Sequence, residues 1–171
     1  KTEHYDIILR GGILVDGTGS DRYDADIAIR GDRIAAIEAD LSSATSEVVI
    51  DVTDLIVAPG FWDNHAHLVN LEELPMAESF IRQGITTILA PLHSHDQVYP
   101  IDTYQQRVKM APNVGLFAGH TWIRKQIIGL KDRTPTEVEL AEMISLVETS
   151  MQQGALGLST GLEYVPAAYA A

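Results

Sequence analysis

Cysteine is absent from all 171 residues. That excludes disulfide staples and thiolate metal sites, and it leaves the redox compartment open. Cationic residues are scarce: 12 Lys and Arg stand against 24 Asp and Glu, for a formal net charge of -12. A nucleic-acid binder needs a basic face for phosphates, so nucleic acid is set aside as a partner. An anionic membrane surface repels such a chain as well, and no apolar run reaches the length of a membrane span. The acidic surplus names no substrate, because such surfaces mostly serve solubility. Internal repeats are missing, and low complexity is confined to the alanine-rich end after Tyr164. The first residue is Lys1 rather than Met, which fits a removed signal peptide or a shortened start, and hence a cytoplasmic or periplasmic protein alike.

What is present divides into two patterns. Residues 1–58 read as short strands and tight turns. Tyr5–Arg10 leads to Gly11-Gly12, and Ile13-Leu14-Val15 leads to Asp16-Gly17-Thr18-Gly19. Asp26–Arg30 alternates, and Gly31-Asp32 before Arg33–Ile37 has the length of a two-residue hairpin turn. Val48-Val49-Ile50 and Leu55-Ile56-Val57 complete what reads as part of a small β-sandwich.

From residue 59 to 171, strands and helices alternate. Strands are expected at Phe61–His67, Ile85–Ala90, Val114–Ala118 and Ala155–Ser159. A first helix is expected from Pro75, with Met76, Ala77, Phe80 and Ile81 as its apolar face and Gly84 as its stop. A second spans about Asp102 to Met110. A third has Thr134 as N-cap, Pro135 at the first helical position and Glu137 closing a capping box. Its core stripe is Leu140, Met143, Ile144, Val147 and Met151, and Gly154 ends it. Alternation of this kind implies parallel strands with right-handed crossovers, here four βα units.

Chemistry concentrates at Asn64-His65-Ala66-His67. Residues two apart on a strand share a face, so His65 and His67 are expected to present paired imidazoles, the start of a metal site, with Asp63 on the same side. A hydrolytic metal needs about three protein ligands and an open position. It lowers the pKa of water and polarises a carbonyl, while a carboxylate moves the proton to the leaving nitrogen. His65, His67, His93 and Ser159 all fall at the C-terminal ends of expected strands, where barrel active sites lie.

The phrase Val57-Ala58-Pro59-Gly60-Phe61 through His67 resembles the first barrel strand of the amidohydrolase superfamily. Further phrases narrow the resemblance to the N-terminal portion of the N-acyl-D-amino-acid deacylases. They are Val15-Asp16-Gly17-Thr18-Gly19, Gln83-Gly84-Ile85-Thr86-Thr87, Gly119-His120 with Arg124, and Gln153-Gly154-Ala155-Leu156-Gly157-Leu158-Ser159-Thr160-Gly161-Leu162 followed by Tyr164.

The resemblance implies an α/β fold: part of a β-sandwich, then the first four units of a TIM-like (β/α)8 barrel. It implies zinc, one or two ions, held by His65, His67 and His93. The family carries a cysteine ligand where this chain has His93, with His95 two residues on. A neutral imidazole bridges two metals poorly, so a single-metal or altered site is expected. Ser159, Tyr164, His120 and Arg124 become substrate-site candidates, and Asp63 a partner that orients a ligand histidine. Plainer readings stand beside these: a tight turn at Ser159–Tyr164, a strand-end hydrogen bond at His120, a surface arginine at Arg124, a capping role for Asp63 and a loop role for His95.

The implied reaction is metal-dependent cleavage of an N-acyl amino acid, of D configuration. The general-base aspartate and the remaining barrel half are expected outside these residues, on the same gene product or on a second chain. Two alternatives remain: a hydantoinase- or dihydroorotase-like cyclic-amide hydrolase, and a non-catalytic half-barrel chain. The first usually has a lysine after the fourth strand, and none is found there.

Overall fold

The computed structural model describes residues 3–67, 73–93, 99–107 and 109–170. They form two compact units, Lys1–Pro59 and Gly60–Ala171.

The first unit is built on one five-stranded sheet: β1 (His4–Leu14), β2 (Tyr23–Arg30), β3 (Arg33–Glu38), β4 (Thr45–Asp51) and β5 (Ile56–Val57). The order is β3-β2-β1-β4, with β5 also pairing β1. β2 and β3 are antiparallel, with Arg30 opposite Arg33 across Gly31-Asp32, as a two-residue turn requires. β4 and β5 run parallel to β1.

One expectation changes here. The two strands anticipated on either side of Gly11-Gly12 are one strand, kinked by an irregularity between Leu9 and Gly12. Gly11, at φ 78°, takes the left-handed conformation that such a bulge needs. Of the anticipated part of a β-sandwich, the described residues form one five-stranded sheet. Even so, four consecutive residues of β2, Ala25 to Ala28, are buried, so both faces of the sheet are covered there. Asp26 survives this burial because its two carboxylate oxygens accept from Gly11 N at 2.8 Å and Leu41 N at 2.9 Å.

The second unit carries a parallel sheet in the order β6 (Phe61–Asp63), β7 (Ile85–Ala90), β8 (Asn113–Leu116), and a short parallel pair, β9 (Ala118–Gly119) with β10 (Leu158–Ser159). Its helices are α1 (Glu78–Ile81), α2 (Ile101–Arg107), α3 (His120–Ile127) and α4 (Glu137–Gln152). Ala90, Ile101, Tyr104, Leu116, Ala118, Ile123, Ile128, Met143 and Ala155 form its main core. No helix among the described residues is long and apolar enough to cross a membrane.

Here too the boundaries move. The first helix keeps only four residues, because Ala77 sits at φ 43° and Met76 lies outside it, 62% exposed. The third expected helix starts two residues later than read. Thr136 is the N-cap, and its box partner is Glu139, not Glu137. Of the expected stripe Met143 is buried, whereas Leu140, Ile144 and Met151 are exposed. α3 was not expected at all. It opens at Gly119 with no side-chain cap, so the usual start signal is missing.

Candidate metal centre

The first barrel-type strand is shorter than its sequence suggests. β6 ends at Asp63, whose Oδ1 accepts the backbone N–H of His65 at 3.0 Å. This Asx-type bond bends the chain out of the sheet, so His65 and His67 stand just beyond the strand end. The bend stays anchored to the sheet, since Ala66 N donates to Leu89 O at 3.1 Å and Ala66 is buried. Asp63 was expected to orient a ligand histidine. The contact seen is with His65 backbone, which sets where the residue sits in the chain.

His93 follows β7 and is buried, only 8% exposed. It meets the other two histidines edge to face. Ring centroids are 4.9 Å apart for His65–His93, 5.7 Å for His67–His93 and 5.6 Å for His65–His67. One ring nitrogen from each forms a set in which all lie within 4.8 Å of one another.

This donor set fits a divalent ion. A tetrahedral zinc with Zn–N of about 2.0–2.1 Å spaces its donors roughly 3.4 Å apart. Modest rotations of His65 and His67, which are both exposed, cover that difference while buried His93 stays in place. Three imidazole nitrogens suit zinc and leave a fourth position open.

A cleft of about 220 Å3 opens beside the histidines, lined by Asn64, His65, Pro91, His93, Phe117, Leu158, Ser159 and Thr160. Larger hollows beside Tyr104 and Met110, and along Glu73–Ser79, do not touch the histidines. No carboxylate lines the cleft among the described residues.

The other expected site residues divide. Ser159 Oγ lies 3.1 Å from His93 Nδ1. The Tyr164 ring stacks on His93 at 5.8 Å between centroids. His120, at the start of α3, pairs through Nδ1 with Thr160 Oγ1 at 2.8 Å. Burial first, and then the Arg124 charge, push its pKa below the usual histidine value.

Arg124 departs from both readings made of it. It is 1% exposed, so it is no surface residue. Its Nη2 donates to two backbone carbonyls, Arg133 O at 2.6 Å and Tyr169 O at 3.1 Å, so it braces the fold where a substrate clamp was expected. Its Nε has no partner among the described residues. His95 lies outside the described residues.

Sequence reasoning passed over Thr121 and Gly161. Thr121 Oγ1 donates to His93 O, and both residues are buried. At Gly161 a side chain would strike both Tyr164 and His93. Neither residue carries metal-type chemistry, so neither stood out as a site candidate, although Gly161 lies in the phrase 153–162 that carries the resemblance.

No family model matches the sequence. D-aminoacylase of Alcaligenes xylosoxydans xylosoxydans is 36% identical over 99% of this chain. A solved N-acyl-D-glutamate deacylase from Bordetella bronchiseptica, complexed with zinc and a phosphonate inhibitor, superposes on 99% of the chain and 41% of its own length at 28% identity, with a TM-score of 0.89. A D-aminoacylase described with a binuclear metal centre superposes on 98% of this chain and 40% of its own at 31% identity and a TM-score of 0.87. The chain spans about 40% of the length of the curated D-aminoacylase it matches. In sequence and in fold the chain is thus a homologue, over nearly its whole length, of D-aminoacylase and of the N-acyl-D-glutamate deacylase.

Proposed function

We propose that this chain forms the three-histidine part of a zinc-dependent hydrolase that cleaves the amide bond of an N-acyl-D-amino acid. The observation that carries the reading is the convergence of His65, His67 and His93 from two strand ends onto one point beside a cleft. The kinship with D-aminoacylase and the N-acyl-D-glutamate deacylase supports the substrate class.

In this reading the barrel has eight units, and its remaining half lies on the same polypeptide or on a second chain. The edge strand β6 fits that arrangement, with Phe61 and Trp62 left 63% and 69% exposed. A metal at the histidines supplies a Lewis acid that activates water and polarises the scissile carbonyl. The chain's own residues hold and orient. His65 and His67 are placed by the Asp63 bend, and His93 by burial. Burial first, and then the Arg124 charge, disfavour protonation of His120. Its Nδ1 engages the hydroxyl of Thr160, which lines the cleft. In this reading the proton carrier comes from outside these residues, since no carboxylate lines the cleft among the described ones.

The test is release of free amino acid by the full-length protein. N-acetyl-D-amino acids should be hydrolysed, their L-enantiomers and hydantoins far more slowly. A chelator should abolish turnover, and zinc should restore it. Faster turnover of hydantoins, or full activity in excess chelator, would overturn the assignment.

A further inference from the structure

The imidazole of His93 is held on several sides by one short segment, 159–164. Ser159 Oγ sits 3.1 Å from Nδ1. The Tyr164 ring lies along one face, 26° from parallel. Gly161 leaves the room that both rings fill: a Cβ there would stand 2.7 Å from Tyr164 Cδ2 and 2.9 Å from His93 Cδ2. From the other direction Thr121 Oγ1 donates to the His93 carbonyl, which fixes the backbone from which the ring projects. A hydrogen bond, a stacked ring, a missing side chain and a backbone tie thus converge on a single histidine.

The two nitrogens of an imidazole are not equivalent. Whatever engages one decides which tautomer is present and which nitrogen can face a metal. We propose that Ser159 is a positioning residue for the metal: it accepts the Nδ1–H of His93 and so commits Nε2 to the ion. The turn 159–164 then supports a metal ligand. Tyr164 and Gly161 belong to the same support, one limiting ring rotation and the other leaving space for both rings. Such support matters most at His93. Its buried ring has little freedom to search for the ion, unlike exposed His65 and His67. The inference rests on the metal-hydrolase reading of the three histidines.

Cobalt(II) is the probe, titrated into the metal-depleted full-length protein against a chromophoric chelator. The visible d–d bands of the loaded form report ligand geometry. Ser159→Ala should weaken cobalt binding by about 10–100-fold, the usual cost of losing an outer-sphere partner of a ligand histidine, and should shift the bands. Ser159→Thr, which keeps the hydroxyl, should recover most of the affinity. With metal saturating, any remaining loss should fall on kcat more than on KM for the acyl amino acid. Gly161→Ala, which displaces the ring by contact alone, should also weaken cobalt binding.

Wild-type affinity and bands in Ser159→Ala, with a KM raised tenfold, would overturn the proposal in favour of a substrate role. A second control separates the two levels of the argument. If His65→Ala and His67→Ala also leave cobalt binding unchanged, the triad itself is not the metal site, and the proposal falls with it. If they abolish binding while Ser159→Ala does not weaken it, only the positioning role falls.

Discussion

Asp63 and His65 are joined by a hydrogen bond from the His65 backbone N–H to Asp63 Oδ1, 3.0 Å long. It ends β6 and turns both following histidines toward His93. Asparagine can make the same bond, whereas alanine cannot. Asp63→Asn should therefore keep zinc affinity within a few-fold of the parent. Asp63→Ala should lose roughly 1 kcal/mol of stability in urea unfolding, and tenfold or more in zinc affinity. Equal behaviour of the two variants would show that this bond does not place the site.

Arg124 is buried with two carbonyls on its Nη2. Arg124→Met keeps volume but leaves those acceptors unpaired, so it should destabilise by about 2–4 kcal/mol. In protein that remains folded, KM for the substrate should not change. A stable variant with a strongly raised KM would instead place the guanidinium on the substrate.

Thr136 and Glu139 close the capping box of α4, and Arg133 pairs with the same carboxylate at 2.6 Å. The hydrogen bond from Arg133 and then that from the Thr136 backbone hold the Glu139 carboxyl down from 4.5 to about 2. A depressed carboxylate pKa contributes stability above the unfolded-state value and loses it as pH falls through the folded one. The contribution should be complete above about pH 4.5 and gone near pH 2, and Glu139→Gln should flatten the stability profile in that window. Thr136→Ala should cost about 1 kcal/mol. An unchanged acid profile in Glu139→Gln would refute the assignment.

Gly60 precedes β6 against the Thr86 side chain. A Cβ at this position would lie 2.1 Å from Thr86 Oγ1 and 2.4 Å from Thr86 Cγ2. Thr86 is β-branched and sits on β7, so it has little room to give. Gly60→Ala should cost about 2 kcal/mol or more in thermal unfolding, with partial rescue by Thr86→Ala, which removes the two nearest atoms. An unchanged melting temperature would contradict the close packing.

Strong local signals were legible from sequence, and competing ones were not. Gly31-Asp32 set the hairpin, and Gly84 and Gly154 ended their helices at φ 77° and 97°. The start of α4 was ambiguous because Thr134 with Glu137 and Thr136 with Glu139 both have capping-box spacing; the added Arg133 pair goes with the second. β6 looked longer than it is because the Asp63 side chain replaces the next ladder bond, a local competition that hydrophobic pattern does not register. The three histidines that converge were named from the sequence, His65 and His67 by their spacing and His93 by the register of the resemblance. The role of Arg124 was not legible, because its partners are backbone carbonyls, nine and 45 residues on, which carry no sequence signature. The support around His93 was legible only in part: Ser159, Gly161 and Tyr164 lie in one stretch that carries the resemblance, whereas Thr121, about 40 residues earlier, carries no such mark.

The most direct measurement is anomalous diffraction at the zinc edge from crystals of the full-length protein grown with zinc. The account predicts a peak bonded to one nitrogen each of His65, His67 and His93, at about 2.0–2.1 Å. It further predicts Nε2 of His93 as the donor, with Ser159 still on Nδ1. A zinc peak ligated elsewhere, with these three histidines bare, would contradict it.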